Sequence, residues 1–120
     1  MFQTLILWLF LTLPHNAFAQ LDNEKLEIYS HAYDVAIINQ LSPRAFIRVI
    51  NCESGANPRA VGDHGLAKNI VQYHEQTFNA DALKFGVTAD YSDWKDHLAL
   101  AGKAFANGDT KKWVCANGLF

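Results

Sequence analysis

A chain of 120 residues, half of them apolar, 18% charged and with a formal net charge of −2, holds one domain with a modest core and not two. That balance excludes the basic bias of a nucleic-acid-binding protein and the acidic tail of a solvating one. No internal repeat or low-complexity run interrupts it, and the three prolines stand apart at 14, 43 and 58.

Residues 1–19 differ in kind from the rest. MFQTLILWLFLTLPHNAFAQ has an apolar core from Leu5 to Leu13, a Pro-containing break and then Ala17-Phe18-Ala19, the pattern of a secretory signal peptide cleaved before Gln20. The apolar core falls short of the about 20 residues that a spanning helix needs, so no stable membrane insertion is expected after cleavage. The segment before it lacks Lys and Arg, which makes an uncleaved anchor the alternative. The mature protein is expected in the periplasm or outside the cell. Export gives the two cysteines a meaning: an even count in an exported chain points to a Cys52–Cys115 disulfide. That bond would tie the segment around Glu53 to a C-terminal strand, KKWVCANGLF.

The remaining elements read as mostly helical. Asp22 or Asn23 caps an N-terminal helix through Gln40, within a segment 20–41, with Leu26, Tyr29, Val35 and Ile38 among its apolar positions. Ser42-Pro43 opens a second helix, PRAFIRVINCES, with a serine cap and a proline where its missing N–H costs nothing. Gly55-Ala-Asn-Pro58 ends it. Residues 56–71 read as loop, with a short hairpin around Ala60-Val61 and Ile70-Val71. A third helix is expected from Tyr73 to Lys84, stopped by Gly86. Ser92 caps a fourth, through Trp94, Leu98, Ala101 and Phe105 to Asn107-Gly108. The fold class is therefore mainly α, a small single domain over 42–120 with a loop or short hairpin beside it.

Glu53 is out of place by ordinary rules. Phe46, Val49, Ile50 and Glu53 fall at i, i+3, i+4 and i+7, one face of the second helix, whereas Arg44, Arg48 and Asn51 share the wet side. The carboxyl thus continues an apolar stripe and sits at a helix C-terminus, where the dipole disfavours negative charge. Both effects raise its pKa, as a general acid requires. The plainer reading is a half-exposed partner for a nearby arginine.

The order and spacing of Cys52-Glu53-Ser54-Gly55, Asn57-Pro58, Ala60-Val61-Gly62-Asp63, Gly65, Gln72-Tyr73-His74 and Thr77-Phe78 resembles the lysozyme-like superfamily, above all its lytic transglycosylase branch. Ala104-Phe105-Ala106-Asn107-Gly108 is similar to the Ala-aromatic-Gly segment of that family, and the resemblance covers roughly residues 43–115. It implies an α+β lysozyme-like fold and cleavage of the glycan strands of peptidoglycan, by a small exported or phage-borne member. Glu53 would be the catalytic acid and then the base, giving 1,6-anhydro ends, with no second enzyme carboxylate required. Ser54, Asn69, Gln72, Tyr73, His74 and Phe105 would border the sugar groove. No cofactor and no metal are implied, and a monomer is expected.

Three positions depart from the family pattern: Asn69 stands where glycine is usual, Lys68 where an aromatic or small residue is common, and Phe105 where tyrosine is usual. Asparagine tolerates the left-handed backbone a glycine supplies, but its side chain would crowd the sugar. Hydrolysis by a muramidase mechanism is the rival chemistry. Asp63 would be its second carboxylate, unless it is a turn residue. An inactive glycan- or partner-binding module is the rival of another kind. His74-Glu75 opens an HExxH zinc motif that Phe78 breaks, and His31, His64 and His97 lack ligand spacing. Trp94 and Trp113 are candidate sugar platforms, although Trp94 shares a helical stripe with Leu98 and reads as core; Lys111-Lys112 reads as solvated.

Overall fold

A computed structural model describes residues 15–120, with side chains from residue 23 onward. The leader expected over 1–19 falls outside the residues described with their side chains. The chain runs α1 (His15–Ile38), α2 (Pro43–Ser54), β1 (Val61–Gly62), β2 (Ala67–Lys68), β3 (Tyr73–His74), α3 (Glu75–Phe85) and α4 (Trp94–Ala106), with 3-10 turns at Asp63–Gly65 and Val114–Ala116. It is a mostly helical domain with one small antiparallel sheet, ordered β1-β2-β3. Among the described residues no helix is long and apolar enough to cross a membrane.

Local chemistry sets most helix ends. Ser42 Oγ accepts from the Ala45 N–H at 3.2 Å, Pro43 opens α2, and Gly55 closes it at φ 63°. Gly86, at φ 65°, stops α3 as the sequence predicts. Other boundaries differ. α1 is continuous from His15, so neither Asp22 nor Asn23 caps it, and it ends at Ile38 because Gln40 turns left-handed at φ 57°. Its buried stripe is Ile28, Ala32, Val35 and Ala36, and the expected Leu26 and Ile38 are exposed. The cap of α4 is Asp93, whose Oδ1 accepts from Lys95 N–H at 2.9 Å; the expected Ser92 instead gives its hydroxyl to Asp90 Oδ1 at 2.7 Å.

The sheet is where expectation and structure part most. Val61 pairs with Lys68 and Gly62 with Ala67, then Ala67 with His74 and Lys68 with Tyr73. Tyr73 and His74 are therefore strand, and α3 begins two residues later than expected. Ile70 and Val71 are the buried turn between β2 and β3, not a strand of a hairpin. The segment around Cys115 is a 3-10 turn, not a strand.

The core sits between α1, α2 and α4. Phe46, Val49 and Ile50 of α2 are fully buried, as are Leu98 and Ala101 of α4. Gly102 allows α4 to approach α1 closely: a Cβ there would lie 2.6 Å from Val35 Cγ1 and 2.7 Å from Asn39 Nδ2. A second cluster stacks Tyr73, Phe78, Tyr91 and His97 under the sheet, His97 and Phe78 having ring centroids 4.6 Å apart.

His97 is fully buried, and its Nε2 lies 2.6 Å from the Tyr91 carbonyl oxygen. A carbonyl only accepts, so the ring proton is on Nε2, and Nδ1 is buried without a partner. Burial pushes the His97 pKa below its ordinary 6.5, against the Tyr91 contact and the nearby Asp96, Asp93 and Asp90. The fold therefore prefers the neutral ring. That contribution is intact above pH 6.5 and is lost as pH falls below 6.5 toward the lower folded value. Unfolding free energies from urea titrations between pH 8 and pH 5 are expected to fall, below pH 6.5, with a slope of up to about 1.4 kcal/mol per pH unit from this group. His97→Phe keeps the ring stack, lowers stability uniformly through the orphaned Tyr91 carbonyl, and removes that share of the slope. Equal slopes in the two proteins would refute the assignment.

Candidate functional site

Glu53 lies in the last turn of α2, on the face that Phe46, Val49 and Ile50 bury, and is itself half-buried. Burial raises its carboxyl pKa above the usual 4.5, and the Cys115 backbone N–H opposes the rise. The N–H is there because of the Cys52–Cys115 disulfide, which holds the two Cα atoms 5.9 Å apart and seats the Val114–Ala116 turn against the end of α2.

An open groove of about 320 Å³ runs past the carboxyl, bordered by Glu53, Asp63, Gln72, His74, Lys112 and Val114 among others. His74 also borders two further hollows, one of about 200 Å³ with Thr77 and Lys112, and one of about 640 Å³ with Leu66, Lys68 and Tyr91. All three share His74 as a lining residue. Their scale suits an extended ligand carrying polar groups.

The expected site residues divide into three sets. Glu53, Gln72 and His74 come together on the groove. Ser54 and Asn69 stand behind it as supports. Ser54 Oγ donates to the Ile70 carbonyl at 2.6 Å and accepts from Asn57 N–H at 3.2 Å, pinning the end of α2 to the turn between β2 and β3. Asn69 takes φ 74°, the left-handed conformation expected of it, but its side chain does not crowd the groove. It is 6% exposed, and Oδ1 accepts from the Ile70 N–H at 2.7 Å. Gln72 is also left-handed, at φ 57°, and its Nε2 donates to the carbonyls of Asn69 at 2.8 Å and Ala60 at 3.1 Å. That leaves its amide oxygen, not its nitrogen, available to a ligand.

Tyr73 and Phe105 form the third set: both are buried, and of the three hollows Tyr73 borders only the one of about 200 Å³, beside Trp113. Tyr73 is 2% exposed, because β-pairing turns it inward, and its hydroxyl donates to Asp81 Oδ2 at 2.8 Å. Burial, and then Asp81, push that hydroxyl's pKa far up. Phe105 is 3% exposed, packed edge-on to Phe46 and Trp113. Trp113 is buried as well, its Nε1 donating to the Val71 carbonyl at 3.0 Å.

Two groups that sequence reasoning passed over belong to the site. Lys112 is not merely solvated: its Nζ lies 3.2 Å from Oδ1 of the buried Asp81 while its side chain borders the groove. Tyr91 gives its hydroxyl to the Tyr73 carbonyl and walls the hollow of about 640 Å³. No local pattern marks either, since Lys112 and Asp81 meet across 31 residues of chain. Asp63 sits in the turn between β1 and β2, with Oδ2 2.8 Å from His74 Nε2. Among the described residues no three His, Cys, Asp or Glu side chains converge as a metal set would.

Comparison of the chain with protein-family models, with curated proteins and with solved structures finds no match.

Proposed function

We propose that this chain is an exported, monomeric enzyme that cleaves the glycan strand of peptidoglycan between N-acetylmuramic acid and N-acetylglucosamine, as a lytic transglycosylase of the lysozyme-like superfamily. One observation carries the reading: a half-buried carboxyl with a raised pKa stands at the end of an apolar helix face and opens onto a groove. The motif order from Cys52 to Phe78 supports it.

The chemistry needs one protein carboxyl. Protonated Glu53 gives its proton to the glycosidic oxygen as the bond from that oxygen to the anomeric carbon breaks, through an oxocarbenium-like transition state. Ionised Glu53 then takes the proton of the muramic acid 6-hydroxyl as that oxygen closes on the anomeric carbon. Attack from within the substrate substitutes proximity for a second carboxylate. The Gln72 amide oxygen accepts a sugar hydroxyl or amide N–H, and Ser54 fixes the helix end on which Glu53 sits.

A second reading has an observation of its own. Asp63 borders the same groove as Glu53, and a water activated there would make the enzyme an inverting hydrolase, which needs carboxyls about 6.5–9.5 Å apart. Mass spectrometry of soluble fragments released from purified peptidoglycan by the disulfide-bonded protein separates the readings. Anhydro ends are expected. Reducing ends would replace the transglycosylase by the hydrolase. Glycan retained by folded protein with no release would leave a binding module.

A further inference from the structure

The pair Asp63–His74 is built from two locally unfavourable choices. Asp63 and His64 both adopt left-handed backbone, at φ 48° and 54°, followed by Gly65 at φ 91°. Asp and His enter this region more readily than most residues other than glycine, yet two in succession persist only where surrounding structure imposes them. His74 occupies the N-cap position of α3, where Ser, Thr, Asp or Asn would satisfy a free helix N–H, and it makes no such hydrogen bond. Its side chain reaches across the groove instead, placing Nε2 2.8 Å from Asp63 Oδ2. Two local concessions that meet in one contact are a mark of function more than of stability.

The contact has a chemical consequence. A carboxylate oxygen only accepts, so the ring N–H points at Asp63 and occupies one of its oxygens. Asp63 is then tethered, and that oxygen is held on the ring and not on a water molecule. Glu53, Asp63, His74 and Lys112 all face the same hollow, and Lys112 is engaged by Asp81. Glu75 and Lys68 face His74 from the neighbouring hollow. Asp63 is therefore the carboxylate on this groove whose engagement decides whether a second base is at hand.

We infer that His74 is a positioning residue that sets the product of the reaction, by tethering Asp63 so that the sugar's own hydroxyl, and not water, captures the anomeric carbon. The inference rests on the glycan-cleaving reading above. In the tethered state the 6-hydroxyl oxygen bonds to the anomeric carbon and its proton goes to Glu53. With His74 removed, Asp63 takes one proton of a water molecule while that water's oxygen bonds to the anomeric carbon. Glu53 in that case keeps its single role of protonating the leaving oxygen.

The test compares full-length, disulfide-bonded wild type, His74→Phe and the double variant Asp63→Asn/His74→Phe on purified peptidoglycan, counting anhydro and reducing ends; phenylalanine keeps a ring but has no N–H to give to Asp63. The wild type is expected to give anhydro ends. His74→Phe is expected to raise the rate of reducing-end formation about a hundredfold, the lower end of what a positioned general base supplies. The double variant is expected to lose that gain. A purely structural role for His74 would slow both products together and leave their ratio alone. An unchanged ratio in His74→Phe, or a raised reducing-end share that survives in the double variant, overturns the inference and leaves the transglycosylase reading standing. No release by the wild type overturns both.

Discussion

Glu53→Gln is expected to lower fragment release from peptidoglycan by about 10²–10⁴-fold, the range that a positioned general acid contributes. Glutamine keeps the volume and polarity of the side chain but carries no transferable proton. The helix end is held independently by Gly55 and by Ser54, so the fold does not depend on the carboxyl. The sign of the pH effect follows from burial. The folded pKa of Glu53 lies above 4.5, so the fold favours the protonated form. The stability this brings is present below pH 4.5 and is lost as pH rises through the folded value. At neutral pH, Glu53→Gln is therefore expected to be at least as stable as the wild type, whereas its activity is gone. The wild-type rate should fall as pH rises through the same folded pKa, because the acid must start protonated. Denaturation midpoints measured beside activity decide the matter. An active Glu53→Gln protein would remove Glu53 from the chemistry. An inactive but destabilised one would make it a structural residue.

What the sequence made legible was chemistry that acts within one turn of helix. Ser42, Pro43 and Gly55 fix α2 through neighbours at most four residues away, and the placement of Glu53 follows from helical period alone. The disulfide was legible for a different reason, since two cysteines allow a single intramolecular pairing. What failed depended on partners far along the chain. Tyr73 reads equally well as helix start or strand; pairing with Lys68 decides it, and the same pairing turns its ring from groove to core. Phe105 lies on a helix that is apolar around much of its girth, and only Phe46 and Trp113 show which side is core. The use of Lys112 by Asp81 and the reach of His74 to Asp63 are likewise contacts between elements. Such contacts leave no periodic trace, and three strands of two residues each are too short to carry one.

The second large effect is expected from opening the disulfide. Cys52 and Cys115 are 63 residues apart, and closing a loop of that length constrains the unfolded chain by about 4 kcal/mol in the entropy model, a large fraction of what a domain of this size possesses. Cys52→Ala/Cys115→Ala should lower the urea midpoint by the corresponding amount. The damage at the site is separate from the global loss. The Val114–Ala116 turn contributes Val114 and Cys115 to the groove wall and the N–H directed at Glu53. Freed from α2, that turn withdraws the N–H that opposes the rise, and the Glu53 carboxyl pKa moves further up. Activity should then drop through loss of the groove wall even at temperatures where the reduced protein is still folded, and the high-pH limb of its rate profile should move to higher pH. Because Cys52 is exposed, mild reductant should reproduce both changes in the wild type, and reoxidation should reverse them. A fall in the urea midpoint with an unmoved pH limb would mean that the bond secures the fold without shaping the environment of Glu53. An unmoved midpoint would mean that packing of Trp113 and Ala116 into the core holds the C-terminus in place without it.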